Sequence, residues 1–532
     1  MKSVVFVLML ALTAFPLYAQ QVAEGRVYCD ANNNGRHDRG EQYLEGIGVT
    51  NGVDVVMTDK AGRYQLLING EATIAVIKPA HYQLQLDVYN KPQFYYQHKP
   101  QGTPRRESYK ELPPTGNLPA SIDFGLLPRQ EPEKFCVAVL GDPQPHFMDH
   151  IRYFGKAIVD DLLRSRRNVS FGISLGDVND ENFELFNPYL AQVARVGVPW
   201  YHLMGNHDTD YEARTDREAD DAFETFVGPV NYAFNYADAH FLILDNILFP
   251  DPRPGRQNSP KAYWGGFRDD QKEFIRNDLK WVDKEKLVVV AFHIPMLDEN
   301  AVRKEDKEFL FECLKGFPHV LLLSAHLHRQ NQYFHTEEDG WKGGKPLHEF
   351  NAGAACGDFY SGYLDKDSIP CSMMSDGTPK GYAFLEVDGN TYSIDYKVAG
   401  KPEDYALSVQ LPKQVVYNRY TPAYITVNFF MGTKSDEVLC RIDGGEWKRM
   451  KYEEVTDPDH DYMVQCWNRD EAPKLARWPA PSCPSTHIWR IRIPSLLPVG
   501  THRVEIQAID MFGQKYCGQA CYEVVNALRM YP

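Results

Sequence analysis

Val169-Ser170-Phe171-Gly172-Ile173-Ser174-Leu175-Gly176-Asp177 decides how this chain folds. A run of apolar, β-prone residues ends directly in Gly-Asp. So apolar a strand is buried in a sheet, and the polar residues behind it emerge at the strand end. The pattern recurs four times. Phe135 to Leu140 leads into Gly141-Asp142-Pro143-Gln144, and Val198 to Met204 into Gly205-Asn206-His207-Asp208. Leu287 to Phe292 leads into His293, and His319 to Leu323 precedes His326-Leu327-His328. Ligands of open α/β sheets bind outside the carboxyl ends of the strands. Five strand ends therefore bring Asp, Asn, Gln and His side chains to one place, the arrangement of a two-metal site.

Outward from this centre, strands alternate with stretches of helical spacing from about 134 to 400, notably Ile151 to Arg166 and Arg268 to Lys284. That alternation predicts a layered α/β domain. Residues 20–130 read as a small β-sandwich, with Val53–Met57 and Tyr64–Ile68 joined through Thr58–Gly62 as a hairpin. Gln97 to Pro119 carries five prolines and reads as a long loop or linker holding Arg105, Arg106 and Lys110, solvated there, with phosphate binding by Arg105 and Arg106 as the alternative. Leu127 to Pro132 marks a boundary, and after Lys401-Pro402 short strands return, among them Tyr424–Phe430, Trp489–Ile493 and Arg503–Ala508. The expected fold class is α/β: a layered β-sandwich core flanked by helices (131–400), between an N-terminal (20–130) and a C-terminal (401–532) all-β sandwich.

A chain of 532 residues exceeds one ordinary core. Its 72 acidic against 57 basic residues give a net charge of −15, which opposes nonspecific nucleic-acid binding. Lys2, the apolar stretch Ser3 to Phe15 and Tyr18-Ala19 read as a signal peptide, residues 1–19, cleaved after Ala19. No Cys stands at that point for lipid attachment, and no later segment has 18 consecutive apolar residues. The expectation is an exported protein, periplasmic or secreted, without a transmembrane segment. Export permits disulfides. Cys517 with Cys521, Cys356 with Cys371 and Cys466 with Cys483 are candidate pairs, with buried thiols as the alternative.

In this order, Asp-x-Gln, Gly-Asp, Gly-Asn-His-Asp, His and His-x-His resemble the calcineurin-like metallophosphoesterase superfamily, over about half the chain. The resemblance implies a metallophosphoesterase-type core and two divalent metal ions (Mn, Mg, Fe or Zn). Asp142, Gln144, Asp177 and His328 would bind one ion; Asp177, Asn206, His293 and His326 the other, with Asp177 bridging. His207 would contact the phosphate and protonate the leaving alcohol, and Asp208 would orient it. His326 and His328, two apart, would face one side of an extended backbone. The implied reaction is attack of a metal-bound hydroxide on a phosphomonoester or phosphodiester. The implied partner is a small phosphate ester or phosphorylated glycan. The sequence departs from the commoner pattern at Gln144, usually His, which favours Mn, Mg or Fe(II) over Zn. It departs again at Ala325, usually Gly.

Further candidates surround this set. His146, Asn179 and Asp180 are possible site residues with loop roles as the alternative. Asn351 to Gly362 is a Gly-rich stretch that would either line the pocket or form a turn, and Tyr263-Trp264-Gly265-Gly266 reads as packing with a rim as the alternative. Asp30, Asn32, Asn34, the Arg36 carbonyl, Asp38 and Glu41, with Gly35 at the sixth position, match a twelve-residue calcium loop. It resembles the calcium-binding β-sandwich modules of secreted bacterial proteins and implies a structural Ca ion. Two rival functions remain: a non-catalytic metal-containing adhesion protein, and a pyrophosphatase-type hydrolase of nucleotide-sugars. An intact His207-Asp208 opposes the first.

Overall fold

The computed structural model describes residues 20–256, 259–468 and 477–527; the expected signal segment, 1–19, lies outside them. The central region holds two stacked sheets. One runs in the order Trp200–Leu203, Val169–Leu175, Lys134–Leu140, Gly381–Asp388, Thr391–Val398, the first three parallel and the last two joined antiparallel. The other runs Tyr232–Tyr236, Ala239–Ile243, Leu287–Ala291, Val320–Ser324, Leu347–Asn351, Asn331–His335, with antiparallel strands only at its two edges. Phe171 of the first sheet packs edge-on against Phe241 and Phe234 of the second, with ring centroids 5.3 and 5.6 Å apart. Parallel strands carry apolar residues on both faces because helices cover the outside. Met148–Phe154, Asp160–Arg164 and Phe186–Ala194 pack with the first sheet's core; Asp269–Leu279 and Lys304–Leu314 pack with the second's. The expected helix after Ile151 is interrupted by a π turn over Gly155–Val159.

Close packing explains the glycine inside the decisive strand. A Cβ on Gly172 would lie 2.4 Å from the Trp200 ring of the neighbouring strand.

Two four-stranded sheets form the N-terminal sandwich. The expected hairpin is overturned there. Val55–Met57 pairs with Gly48–Thr50 in one sheet, whereas Arg63–Ile68 pairs with Gln21–Cys29 in the other. The Asp59–Gly62 turn is present, with Gly62 N–H donating to Asp59 O at 2.8 Å, but it crosses between sheets. Local turn chemistry predicts a reversal, not the partner of each strand. The C-terminal region is a sandwich of four- and five-stranded sheets, with an unanticipated helix over Pro458–Asn468. Among the described residues no helix is long and apolar enough to cross a membrane.

The proline-rich loop is not a solvated linker. Tyr109 is buried, Lys99 pairs with Asp221 and Glu224, and Arg106 Nε lies 2.8 Å from Asp210 Oδ2, so the segment is bolted to the central region. All ten cysteines are free. Cys517 and Cys521 share the strand Lys515–Val525, and four residues of strand separate their Cα atoms by about 13 Å, beyond disulfide reach.

A buried ion pair holds the first sandwich to the core. Lys78 Nζ lies 2.7 Å from Glu131 Oε1 and also donates to the Asn235 carbonyl, while Glu131 Oε2 accepts the N–H groups of His81 and Ala237. Removing one partner of such a pair leaves an uncompensated buried charge. Glu131→Ala is expected to lower unfolding free energy by about 3–5 kcal/mol, read as a shifted urea midpoint, and a Lys78→Met/Glu131→Leu double variant to recover most of it. Equal midpoints for the wild type and Glu131→Ala would refute this account.

Candidate metal centre

The three parallel strands of the first sheet and two of the second end on the same side of the sandwich. Their loops gather the seven expected ligand residues. Asp142, Gln144, Asp177, Asn206, His293 and His328 are all buried, and His326 is half-buried. The donor atoms of Asp177, His293 and His326 all lie within 4.8 Å of one another. Around His293 Nε2 stand Asn206 Oδ1 at 3.2 Å, His326 Nδ1 at 3.2 Å, Asp177 Oδ2 at 3.3 Å and Asp142 Oδ1 at 4.0 Å. His328 Nε2 lies 3.7 Å from Asp142 Oδ1.

Two backbone carbonyls decide how the imidazoles present themselves. His293 Nδ1 donates to Leu175 O at 2.7 Å, and His328 Nδ1 donates to Gly357 O at 2.9 Å. A carbonyl only accepts, so each neutral ring carries its proton on Nδ1 and aims the Nε2 lone pair at the cluster, as metal-ligating histidines do. Gln144 is oriented likewise: Nε2 donates to Asp180 Oδ1 at 3.3 Å, and Oε1 is buried without a hydrogen-bond partner. Converging lone pairs and carboxylates repel one another unless a cation sits among them. The donor set is hard oxygen plus imidazole, which fits divalent first-row ions and magnesium.

The buried charges of the cluster act strongly on one another. Burial, joined by the Asp177 charge, pushes Asp142 up to about 8. Burial also opposes ionisation of Asp177, but His293 and His207 outweigh it and hold that carboxyl below the usual range. Burial opposes a charged His293, yet Asp177 and Asp142 push it up to about 9. Burial pulls His326 down to about 3 and His328 to about 4.

Backbone conformation delivers these side chains. Asp142, Gln144, Asp177, His326 and His328 all have positive φ, between 37° and 73°. Left-handed non-glycine residues cost on the order of 1–3 kcal/mol each and cluster at functional sites. The expected extended backbone under His326 and His328 is therefore wrong: both lie in a bend past Val320–Ser324, and left-handed turns aim them. Ala325 lacks a positive φ, so the side chain that replaces glycine there meets no backbone penalty.

A second correction concerns Asp208. Its carboxylate accepts the N–H groups of Gly205 (2.9 Å), Asn179 (3.1 Å) and Val178 (3.2 Å) and the Asn179 amide (2.7 Å). It braces two ligand loops rather than orienting His207. Asp180 and Glu181 stand at His207 instead, with oxygens 2.9 and 3.6 Å from Nδ1. Burial opposes a charged His207, but Asp177 and these two carboxylates push it up to about 11. Asp180 was within reach of sequence reasoning, three residues after Asp177; nothing in the sequence marked Glu181. His146 lies at the rim, Nδ1 3.2 Å from Asp180 Oδ2, outside the ligand cluster.

The Asn351 to Gly362 stretch lines the site. The Phe359 ring stacks on His328 at 4.2 Å, and Tyr360 Oη donates to Pro143 O at 2.5 Å. Tyr263 packs edge-on to His326 at 6.2 Å, so that segment is rim as well as packing. In the N-terminal loop, Asp38 Oδ2 accepts from the amides of Asn32 and Asn34, Asp30 accepts from Asn34 and Gly35 N–H, and Glu41 from Ala31 and Asp38 N–H. The five expected calcium side chains are thus gathered, far in sequence from the metal centre.

Three family models match the chain: the N terminal of calcineurin-like phosphoesterase over residues 31–112, calcineurin-like phosphoesterase over 136–330, and the C terminal of calcineurin-like phosphoesterase over 349–516. No curated protein matches. Among solved structures, the chain is similar to a purple acid phosphatase from yellow lupin (Lupinus luteus) seeds, at 12% identity over 71% of this chain and 66% of that one, TM-score 0.36. A spore cortex lytic enzyme of Clostridium perfringens matches at 10% identity over 74% of this chain and 99% of that one, TM-score 0.14. Scores this low carry no information about chemistry.

Gly205 offers a test of the cluster. A Cβ there would lie 2.2 Å from both the N and Oδ1 of Asp177. Gly205→Ala is expected to displace that carboxylate and weaken divalent-metal binding by roughly 10–100-fold in calorimetric titration. Unchanged affinity would show that Asp177 is not held by this contact.

Proposed function

The chain belongs to the calcineurin-like phosphoesterase family and is a metal-dependent phosphoric ester hydrolase; from that premise we propose an exported enzyme that hydrolyses small phosphate esters on two divalent ions. One observation carries the proposal: donor atoms from five strand ends converge in a buried place, with the Nδ1 atoms of His293 and His328 tied off by carbonyls. Asp142, Gln144, Asp177 and His328 would hold one ion, and Asp177, Asn206, His293 and His326 the other. Such ions supply a nucleophilic water at neutral pH and neutralise the anionic ester.

The chain's own residues complete the chemistry. Asp177 Oδ1 accepts the His207 N–H at 2.8 Å, which seats His207 beside the ligands. Asp180 stands at Nδ1 of that ring, so Nε2 is the atom left to deliver a proton to the departing alcohol. Gln144 offers an amide oxygen, weaker and harder than imidazole, which favours Mn, Mg or Fe(II) over tight Zn. The net charge of −15 favours small or glycan-borne phosphates over long nucleic acids. Residues 1–19 support export, with a mature N-terminus at Gln20. A calcium ion on Asp30, Asn32, Asn34, Arg36 O, Asp38 and Glu41 would stiffen the first sandwich.

The test strips exported protein, its N-terminus checked by mass, with chelator and restores Mn, Mg, Fe(II) or Zn singly. A generic phosphomonoester and a generic phosphodiester are then assayed. Activity should return with Mn, Mg or Fe(II), fall about 10²–10⁴-fold in His207→Ala, and vanish with metal loss in Asp177→Asn. Two bound ions with neither ester cleaved would overturn the hydrolytic reading in favour of metal-dependent binding. Separately, calcium at a hundredfold excess over its Kd should stabilise the protein by about 2.7 kcal/mol in thermal melts, and Glu41→Gln should abolish that gain. A calcium-independent midpoint would remove the ion.

A further inference from the structure

The C-terminal sandwich carries a groove of about 700 Å³ that shares no lining residue with the metal centre. Its lining runs from segment 402–409 across the strands Lys515–Val525 and Gly500–Ile509 to Arg441 and Trp447. Strand alternation decides which side chains face outward here. Val438, Cys440, Val504, Ile506 and Ala508 belong to the buried core, so their neighbours Arg441, Arg503, Glu505 and Gln507 point the other way. Across three adjacent strands, Arg441 stands opposite Glu505 and Glu505 opposite Gln519. The side chains are tied into a row. Arg441 Nε and Nη2 donate to the Glu505 carboxylate at 2.9 and 3.2 Å. Arg503 Nη2 donates to Gln519 Oε1 at 2.8 Å and lies 3.7 Å from Glu505 Oε1. The Arg441 guanidinium carbon also lies 4.5 Å from the centroid of the Trp447 ring.

Exposed ion pairs contribute little to stability. What this row does is hold planar donors and acceptors in fixed positions beside an aromatic ring, as preorganised binding sites do. Trp447 is 38% exposed, and Tyr405 lines the same groove. The charges of the lining cancel: Arg441, Arg503 and Lys515 against Asp404, Asp459 and Glu505. A balanced lining gives a polyanion or a polycation no net attraction. The complementary ligand is neutral, donates and accepts hydrogen bonds, and has an apolar face for a ring. A pyranose meets all three conditions. Its hydroxyls donate and accept, and the positive ends of its C–H bonds meet the negative face of an aromatic ring. The volume lies in the range of ligand clefts and takes roughly two or three sugar rings.

We propose that this groove binds a neutral oligosaccharide, with Trp447 as the stacking platform and the Arg441–Glu505–Gln519 row as the edge that binds hydroxyls. The C-terminal domain thereby holds the enzyme against glycan while the metal centre acts. Binding in the groove does not depend on the phosphoesterase reading, and the two are measured separately.

Full-length protein is titrated calorimetrically with maltotriose, cellotriose and triacetylchitotriose, and with trigalacturonate as the charged control. At least one neutral trisaccharide should bind with a Kd of about 1 mM or tighter, and trigalacturonate about tenfold more weakly than that sugar. Trp447→Ala should weaken the binding by about tenfold or more and Gln519→Ala by about threefold or more, with thermal midpoints close to that of the wild type. Gln519 is exposed on its strand, so its variant decides the matter should Trp447→Ala fail to fold. No binding of any neutral trisaccharide at about 10 mM would overturn the proposal. So would binding that both variants leave unchanged, or trigalacturonate bound as tightly as the neutral sugars or more so. Trisaccharide binding by a protein that cleaves no phosphate ester would sink the phosphoesterase reading alone and leave the groove standing.

Discussion

The hydrogen bond from His293 Nδ1 to the Leu175 carbonyl, 2.7 Å long, is the constraint on which the centre of this molecule depends. Leu175 ends the decisive strand, and His293 follows a strand of the opposite sheet. Their contact ties the two sheets together at their carboxyl edges. It also fixes the tautomer of the neutral His293 ring, in which the Nε2 lone pair faces Asp177, Asn206 and His326. The intervening Gly176, at φ +89°, has to be glycine: a Cβ would come 2.6 Å from that same Nδ1. Fold closure and metal-site geometry are therefore the same interaction.

The surrounding loops store backbone strain in exchange for aim. Five of the seven expected ligand residues are left-handed, and the bracing is correspondingly dense. Asp208 ties the Asp177 loop to the Asn206 loop through four hydrogen bonds. Asp142 accepts the backbone N–H of His326 at 3.1 Å, joining the first strand's loop to the last. Asp208 differs from Asp142 in spending both oxygens on backbone and amide N–H groups, whereas Asp180 keeps Oδ1 2.9 Å from His207 Nδ1.

The flanking sandwiches are integral to the core. One hydrophobic cluster runs from Ala23 and Val27 through the central sheets to Phe430 and Met431. On the C-terminal side, Thr486 Oγ1 donates to Asn331 Oδ1 at 2.7 Å, and buried His487 sits 3.3 Å from Asp376. The His487–Asp376 contact is shielded from water, so it fixes orientation more firmly than a surface pair would.

Reading the chain alone was sufficient for five strands, the polar fragments at their ends and the flanking sandwiches, because burial on two faces and the abrupt switch to Asp, Asn and His are local, one-dimensional signals. It also singled out Gln144, whose Oε1 is buried without a hydrogen-bond partner. It was not sufficient for pairing. Val55–Met57 and Arg63–Ile68 read as a hairpin yet lie in different sheets, and Gln97 to Pro119 read as a linker yet packs through Tyr109 and Arg106. Nor did it reveal that His326 and His328 turn inward on left-handed residues, that Asp208 is a brace, or that Phe359 stacks on His328. Each of these depends on which atoms of distant segments meet and on how lone pairs and charges are satisfied there. Hydrophobic pattern and residue order are properties of the sequence; hydrogen-bond partners across sheets and domains come into existence only when the chain is folded.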